Sequence, residues 1–554
     1  MDRRQLFTTL LEGKAAAREV GQSLEILSEK PTPPSSGLDP YTGPWTFDEA
    51  AHLLRRAMFG PTKEQIQQAA DMGMDAAVAQ LLADTPMPDL PVNVFYEEDE
   101  FVPIGESWVY APCPNFSIYN YRRQILQSWM LDQIFSEGIS AREKMSLFWH
   151  NHFAVEMLVV ANATFMLFYY NTLRENAFGN FRELTKKITV DPAMLRYLNG
   201  NQSTKNAPNE NYARELLELF TVGKGELIGP GDYSNYTEED IRQIARVLTG
   251  WRDRGYRTSD PTVMVESYYQ ANRHDTGTKQ LSYHFDHAVI SNAEEDEYKI
   301  LIDIIFQKDT AARFIARKLY RWFIYYDIDE TIENEVIAPL AQIIYQNDYE
   351  IKPALEALFK SEHFYDIYSR GSLIKNPVDF VFSIIKPLQV QVPDDPLERH
   401  VAFFFLRGVL QLMQMEILYP PSVAGWQAYY QAPGFHRLWT NSVTLPLRNN
   451  YADAVSFAMD SWSMLGFIST FENPVDINAL ISELVSIFLP RGLTEFQRDY
   501  LKQFVLQGLP DFEWTDEYGM YLADPGNEEL ANALEAKLRS MLSKLFALAE
   551  FQVC

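Results

Sequence analysis

The chain has 554 residues, 47% hydrophobic and 14% aromatic, a balance that supplies a packed interior and excludes wholesale disorder. That length exceeds one hydrophobic core and points to roughly two to four domains or one elongated helical body. Forty-eight basic against seventy-five acidic residues give a net charge of −27. Such a surface repels phosphate backbones and anionic lipid, which argues against nucleic-acid and membrane-surface partners.

The N-terminus carries the twin arginines of an export signal, Arg3 and Arg4. The segment behind them, Thr8 to Glu19, places Glu12, Lys14, Arg18 and Glu19 where an apolar region is needed. The reading is therefore a cytoplasmic protein, with export to the periplasm or cell surface as the alternative. Pro31, Pro33, Pro34 and Gly37 deny the next stretch regular structure, so residues 1–45 read as a flexible arm and linker.

Thr46-Phe-Asp-Glu49 fits a capping box and opens a helix that stops at Gly60-Pro61. Helical patterns follow at Tyr119 to Phe135 and from near Ala141. Met157 to Tyr170 is the most apolar run, too short to span a bilayer and interrupted by Asn162, and reads as a buried helix. Pro208-Asn209 starts another helix, which Gly223 ends; Thr237-Glu-Glu-Asp240 caps the next, which Gly250 ends. Val263 to Tyr269 and Tyr283 to Ile290 alternate like strands and could form one hairpin. Helical patterns then continue from Glu297 to the C-terminus. The expected fold is mainly α, a large multi-helix bundle-like body with at most a small β hairpin or sheet. Its expected divisions are 46–290, carrying the polar motifs, then 291–440 and 441–554. Cys113 and Cys554 make neither a disulfide framework nor a zinc set and read as free thiols.

Three polar clusters stand out. Lys144-Met-Ser-Leu-Phe-Trp-His-Asn-His-Phe153 holds His150, Asn151 and His152. On a helix, residues two apart point about 200° from each other, so the two imidazoles cannot share one metal unless the helix breaks. Buried or capping imidazoles are the structural alternative. Asn206 to Phe220 places Asn209, Glu210 and Asn211 at a helix start, with Glu210, Arg214 and Glu218 in line as a surface ladder. One asparagine suffices as a cap, so the triplet suits a polar ligand or a hydrogen-bonded network. Thr249-Gly-Trp251-Arg252 precedes Arg273-His274-Asp275-Thr-Gly-Thr-Lys279, where a carboxylate adjacent to an imidazole can orient it, or can simply form a turn. Neither a nucleophile-elbow serine nor a P-loop, dinucleotide fingerprint, zinc-protease helix or calcium loop is present.

Taken in order, these stretches resemble the bacterial family known as domain of unknown function 1800. The resemblance rests on Leu54-Arg-Arg-Ala-Met-Phe-Gly60, Phe148 to Phe153, Leu173 to Phe181, Asp191 to Leu195, Pro208 to Phe220 and Ala245 to Trp251. His274-Asp275 with Lys279, and Pro420-Pro-Ser-Val-Ala-Gly-Trp426, complete it. The chain departs from the pattern at Tyr283-His284, where the usual glycine after the lysine is absent. The resemblance implies a bacterial protein, often encoded beside a sulfatase- or phosphatase-like protein, with many exported relatives; it implies no activity.

Two readings follow. In one, an enzyme or metal-binding protein uses His150, His152, Glu210, Arg214, His274 and Asp275 as catalytic groups. Asn151, Asn209, Asn211, Trp251 and Lys279 then bind ligand; the reaction is unknown, and a divalent metal ion is the candidate cofactor. A facing of the His150–His152 segment on the Asn209–Arg214 helix start, with Glu210 as the working carboxylate, is expected. In the other, a helical scaffold or chaperone-like partner of a secreted sulfatase- or phosphatase-like protein uses the same residues as a buried packing network.

Overall fold

The computed structural model describes residues 37–429, 432, 434–458 and 462–554. The twin arginines, and residues 1–36 of the arm expected over 1–45, lie outside the described residues. Thr46 opens α1 (Phe47–Ala57) with the expected box: its side chain accepts from the helix backbone, and Glu49 reaches back to the Thr46 N–H. The chain is tied down ahead of that cap, since the Tyr41 N–H donates to Lys360 O at 2.7 Å and the Thr42 N–H to Glu362 at 2.7 Å.

Helix is the dominant element, at 57%. The helices that build the site are α2 (Phe116–Ser136), α3 (Arg142–His152), α4 (Ala163–Glu175), α5 (Glu210–Glu215), α6 (Glu238–Val247), α7 (Glu297–Ile305), α8 (Asp309–Phe323) and α9 (Pro396–Leu412). Amphipathic spacing explains α8: Ala311, Ala312, Ile315, Ala316, Leu319, Tyr320 and Phe323 face inward, while Arg313, Arg317, Lys318 and Arg321 take the other arc. Elements distant in sequence pack together. α2 lies along α9, α1 along Ile477–Phe488, and one apolar core runs from Ala50 to Phe551. Both cysteines are buried and free.

The apolar run Met157 to Tyr170 is two helices. Ala161 adopts a left-handed conformation, and Asn162 then caps α4 by accepting from the Phe165 N–H at 3.0 Å. The polar residue in the run thus marks a boundary.

Strand is confined, among the described residues, to three two-stranded antiparallel ribbons. They are Leu227–Gly229 with Asp232–Tyr233 (β1, β2), Trp251–Arg254 with Glu266–Tyr269 (β3, β4), and Lys279–Gln280 with Val289–Ile290 (β5, β6). The two alternating runs therefore do not pair with each other. The first pairs with Trp251–Arg254, and the second is largely a 3₁₀ turn, Tyr283–Phe285. Asp286 and His287 follow at φ 53° and 55°, so two non-glycine residues hold a left-handed turn.

Candidate functional site

The helix that begins at Asn209 does not stay α-helical. Glu210–Glu215 is α5, and Leu216–Thr221 continues it as a π turn, with Thr221 Oγ1 donating to Leu216 O at 2.7 Å. A helix end leaves its last carbonyls without intrahelical partners. Two side chains from other helices meet them here. His152 lies 3.0 Å from Phe220 O through Nε2, and Lys318 Nζ donates to Leu219 O at 3.1 Å. Lys318 Nζ also lies 3.0 Å from His152 Nδ1. A carbonyl oxygen only accepts, so the proton of His152 sits on Nε2 and Nδ1 presents a lone pair to the lysine.

Around this junction lies a cavity of about 180 Å³, lined by Phe148, Asn151, His152, Glu218, Leu219, Phe314, Arg317, Lys318, Arg321, Trp322, Ala424 and Tyr429. Burial, then the Lys318 charge, hold the His152 imidazole well below its ordinary value. Burial, with the Arg321 charge second, draws the Lys318 amine down to about 7. Arg317 is neutralised by a two-pronged pair with Glu333 at 2.8 and 2.6 Å. Among the described residues, neither Lys318 nor Arg321 is ion-paired to a carboxylate; Arg321 Nε donates instead to Tyr326 O at 3.2 Å. Glu218 is the acid on the wall, already engaged by the Tyr236 hydroxyl and by Arg214 and Lys224 at 3.7 Å.

A larger groove of about 520 Å³ between α2 and α9 contrasts with it. Its polar groups are matched to one another. Arg399 clasps Asp132 at 2.7 and 2.6 Å, and Ser128 Oγ meets His400 Nδ1 at 2.5 Å. A wall whose charges are already satisfied offers a ligand less than one with two unpaired cations.

The structure distributes the sequence candidates over three places. Asn151 and His152 line the cavity. His150, two residues back on α3, points elsewhere, as helical geometry requires. The single Tyr169 hydroxyl proton goes to Phe153 O at 2.6 Å, so Tyr169 accepts from His150 Nδ1 at 3.1 Å. His150 Nε2 is then a buried lone pair with no hydrogen-bond partner, and burial pushes the imidazole down to about 3.

At the start of α5, Asn209 is a cap: its Oδ1 accepts from the Tyr212 N–H at 3.1 Å and its Nδ2 donates to Leu198 O at 2.7 Å. Glu210 and Asn211 are exposed. Arg214 makes a bidentate pair with Glu238 at 2.8 and 2.7 Å. The end of this helix, not its start, meets His152, and neither end meets His150. Eleven residues at about 1.5 Å each separate the two ends by roughly 16 Å.

The third place is a buried network beside α7. His274 Nε2 lies 3.0 Å from Glu297 Oε2, while its Nδ1 lies 2.8 Å from Thr249 O. Lys279 pairs with the other oxygen of Glu297 and donates to Asp275 O. Lys279 and Glu297 are fully buried. Asp275 faces away to Arg246 at 2.8 and 3.1 Å, which holds its carboxyl below the usual range. Trp251 packs edge-on against Tyr298, the second residue of α7, with ring centres 5.4 Å apart.

Sequence reading missed Lys318, Arg321 and Glu297. The signal available was Arg317-Lys-Leu-Tyr-Arg321, three cations within five residues at the end of an amphipathic helix. Nothing local distinguishes such a run from a solvated face. The divalent ion finds no matching donor set either. Among the described residues, no group of three or more His, Cys, Asp or Glu side chains is placed to hold a metal, and both nitrogens of His152 are engaged.

The model of a family described as a protein of unknown function (DUF1800) matches residues 52–553. No curated protein and no solved structure matches the chain.

Proposed function

Because the chain belongs to the DUF1800 family, whose description states no activity, we propose a function from the geometry alone: the protein binds, and acts on, a small organic anion in the cavity between His152 and Lys318. One observation carries this reading. Two basic side chains, Lys318 and Arg321, line a cavity with no carboxylate ion-paired to either among the described residues, in a chain of net charge −27. A partly buried guanidinium, or an ammonium when the lysine is protonated, is costly without a counter-ion, and an anionic ligand lowers the cost. Stretches behind the family resemblance also contribute to its lining: Phe148, Asn151 and His152, then Glu218 and Leu219, and Ala424 within Pro420 to Trp426. His152, Asn151, Arg321 and Lys318 are thus the working groups. His274, Lys279 and Glu297 are a packing network, which is the role the scaffold reading gives them.

Calorimetry with acetate, oxalate and phosphate tests the proposal on the full chain, beside Arg321→Gln. One of these anions should bind in the wild type and lose at least about tenfold in affinity in the variant, as expected for losing a charge-assisted bond. Equal affinity in both proteins, or no binding of any anion, would favour the scaffold reading.

A further inference from the structure

We propose that Lys318 is a nucleophilic amine that forms an imine with a small carbonyl-bearing carboxylate, of the 2-oxo-acid class, whose carboxylate group Arg321 holds. The inference rests on the anion-site reading and adds a covalent step to it.

The geometry around the amine makes the case. Two hydrogen bonds tie it to groups of the cavity wall, one to His152 Nδ1 at 3.0 Å and one to Leu219 O at 3.1 Å. A neutral lysine amine has two hydrogens and one lone pair. With both hydrogens assigned to the wall, the lone pair is left for the cavity. Both acceptors are themselves fixed: Leu219 O belongs to the π turn, and His152 is locked by Phe220 O and by the rings of Phe148, Phe153 and Phe181. The amine is thereby aimed.

Its surroundings favour the neutral form. No described carboxylate is ion-paired to Nζ, and the Phe314 ring 4.8 Å away attracts the ammonium form only weakly. The Arg321 cation follows three residues on along the same helix, and Glu218 is the one acid among the described residues on the cavity wall. Burial and the Arg321 charge draw the amine down to about 7, so near neutral pH much of it is unprotonated. A lysine desolvated beside a second cation is an activated nucleophile.

The step balances without an oxidant or reductant. Nζ attacks the carbonyl carbon, and the C–N bond forms as the C=O π pair moves to oxygen. A proton passes from nitrogen to that oxygen, giving a carbinolamine. A second proton transfer releases the oxygen as water and leaves the C=N bond. Arg321, one turn along α8 from Lys318, is placed to hold the carboxylate while the carbonyl faces the amine. Trp322 and Phe148 supply apolar walls that keep bulk water from the imine.

The test uses the full chain with glyoxylate and cyanoborohydride at pH 7, followed by peptide mass mapping. Reduction converts the imine into a stable carboxymethyl amine. Lys318 should carry the adduct at least about tenfold above any other lysine. An ordinary lysine near 10.4 has on the order of a thousandfold less free amine at that pH. Lys318→Arg, with Lys318→Met as a second variant should the first misfold, should remove the dominant adduct. Arg321→Gln should lower glyoxylate labelling of Lys318 about tenfold more than its labelling by formaldehyde, which has no carboxylate and reports the change in free amine alone. Labelling spread evenly over surface lysines overturns the proposal. Oxalate separates the two claims, because it presents the anion without an aldehyde. Oxalate binding without a Lys318 adduct overturns the imine and leaves the anion site standing. Absence of both overturns the two together.

Discussion

The backbone of Gly425 lies against Asn151 so closely that a Cβ there would come inside contact distance of the Asn151 Oδ1 and carbonyl O, and within 3.0 Å of its Cγ. The same Asn151 Oδ1 accepts the Trp426 N–H at 2.9 Å, and Gly425 sits at φ 81°. One asparagine on α3 thus anchors the Pro420 to Trp426 segment, which places Ala424 on the cavity wall.

Gly425→Ala should therefore destabilise the protein. The left-handed conformation alone costs a non-glycine residue about 1–2 kcal/mol, and displacing the segment adds the loss of the Asn151 bond, about 1 kcal/mol. Urea denaturation followed by tryptophan fluorescence measures it. A midpoint unchanged from the wild type would mean that the segment does not rest on Asn151 in solution.

Glu210 and Glu218 should behave oppositely to their rank by position in the helix. Glu210 is exposed, so Glu210→Gln should move stability by less than about 0.5 kcal/mol and leave anion binding alone. Glu218 stands on the cavity wall near Lys318 and Arg321, and its negative charge opposes an incoming anion. Glu218→Gln should tighten binding by roughly threefold to tenfold. Calorimetry on the two variants side by side decides this; weaker binding in Glu218→Gln would assign that carboxylate to the ligand instead.

The His274–Glu297–Lys279 network predicts a stability effect without a binding effect. Lys279→Met leaves the fully buried Glu297 with one partner fewer, and breaking such a pair costs about 3–5 kcal/mol. Adding Glu297→Leu should recover much of the loss, since the pair is then replaced by apolar groups. Denaturation midpoints of the single and double variants measure the coupling. A double variant no better than Lys279→Met would argue that the network does more than fill the core.

Stability should fall in mild acid, in part through His150. Its folded imidazole is held at about 3, below the ordinary 6.5. Between those values the unfolded chain binds a proton that the folded chain refuses, so the stabilisation is complete above about 6.5 and drains away as the pH falls toward 3. Asp191 acts in the opposite sense: burial raises its carboxyl from 3.8 to about 7, so its contribution is present below 3.8 and lost as the pH rises through 7. Thermal melts from pH 7 to 4 on the wild type and His150→Phe should show a shallower decline in the variant. Parallel curves would mean that His150 titrates normally in the folded state.

What the sequence determined by itself was local. The boxes at Thr46–Glu49 and Thr237–Asp240, the cap at Asn209 and the stop near Gly223 are decided by side chains within a few residues of the backbone groups they serve. The divergence of His150 and His152 follows from helical periodicity in the same way. Tertiary structure alone decided the site. Lys318 is 166 residues from His152 and Glu297 is 23 from His274, and no local pattern marks either pairing. The helix end at Thr221 leaves the Leu219 and Phe220 carbonyls free for Lys318 and His152, and which distant side chains reach them is decided by packing. The same physics explains why Glu210 reads as special and Glu218 as ordinary in one dimension. A helix start advertises its charge in sequence, whereas the value of a carboxylate at a helix end depends on which distant cations the fold delivers to it.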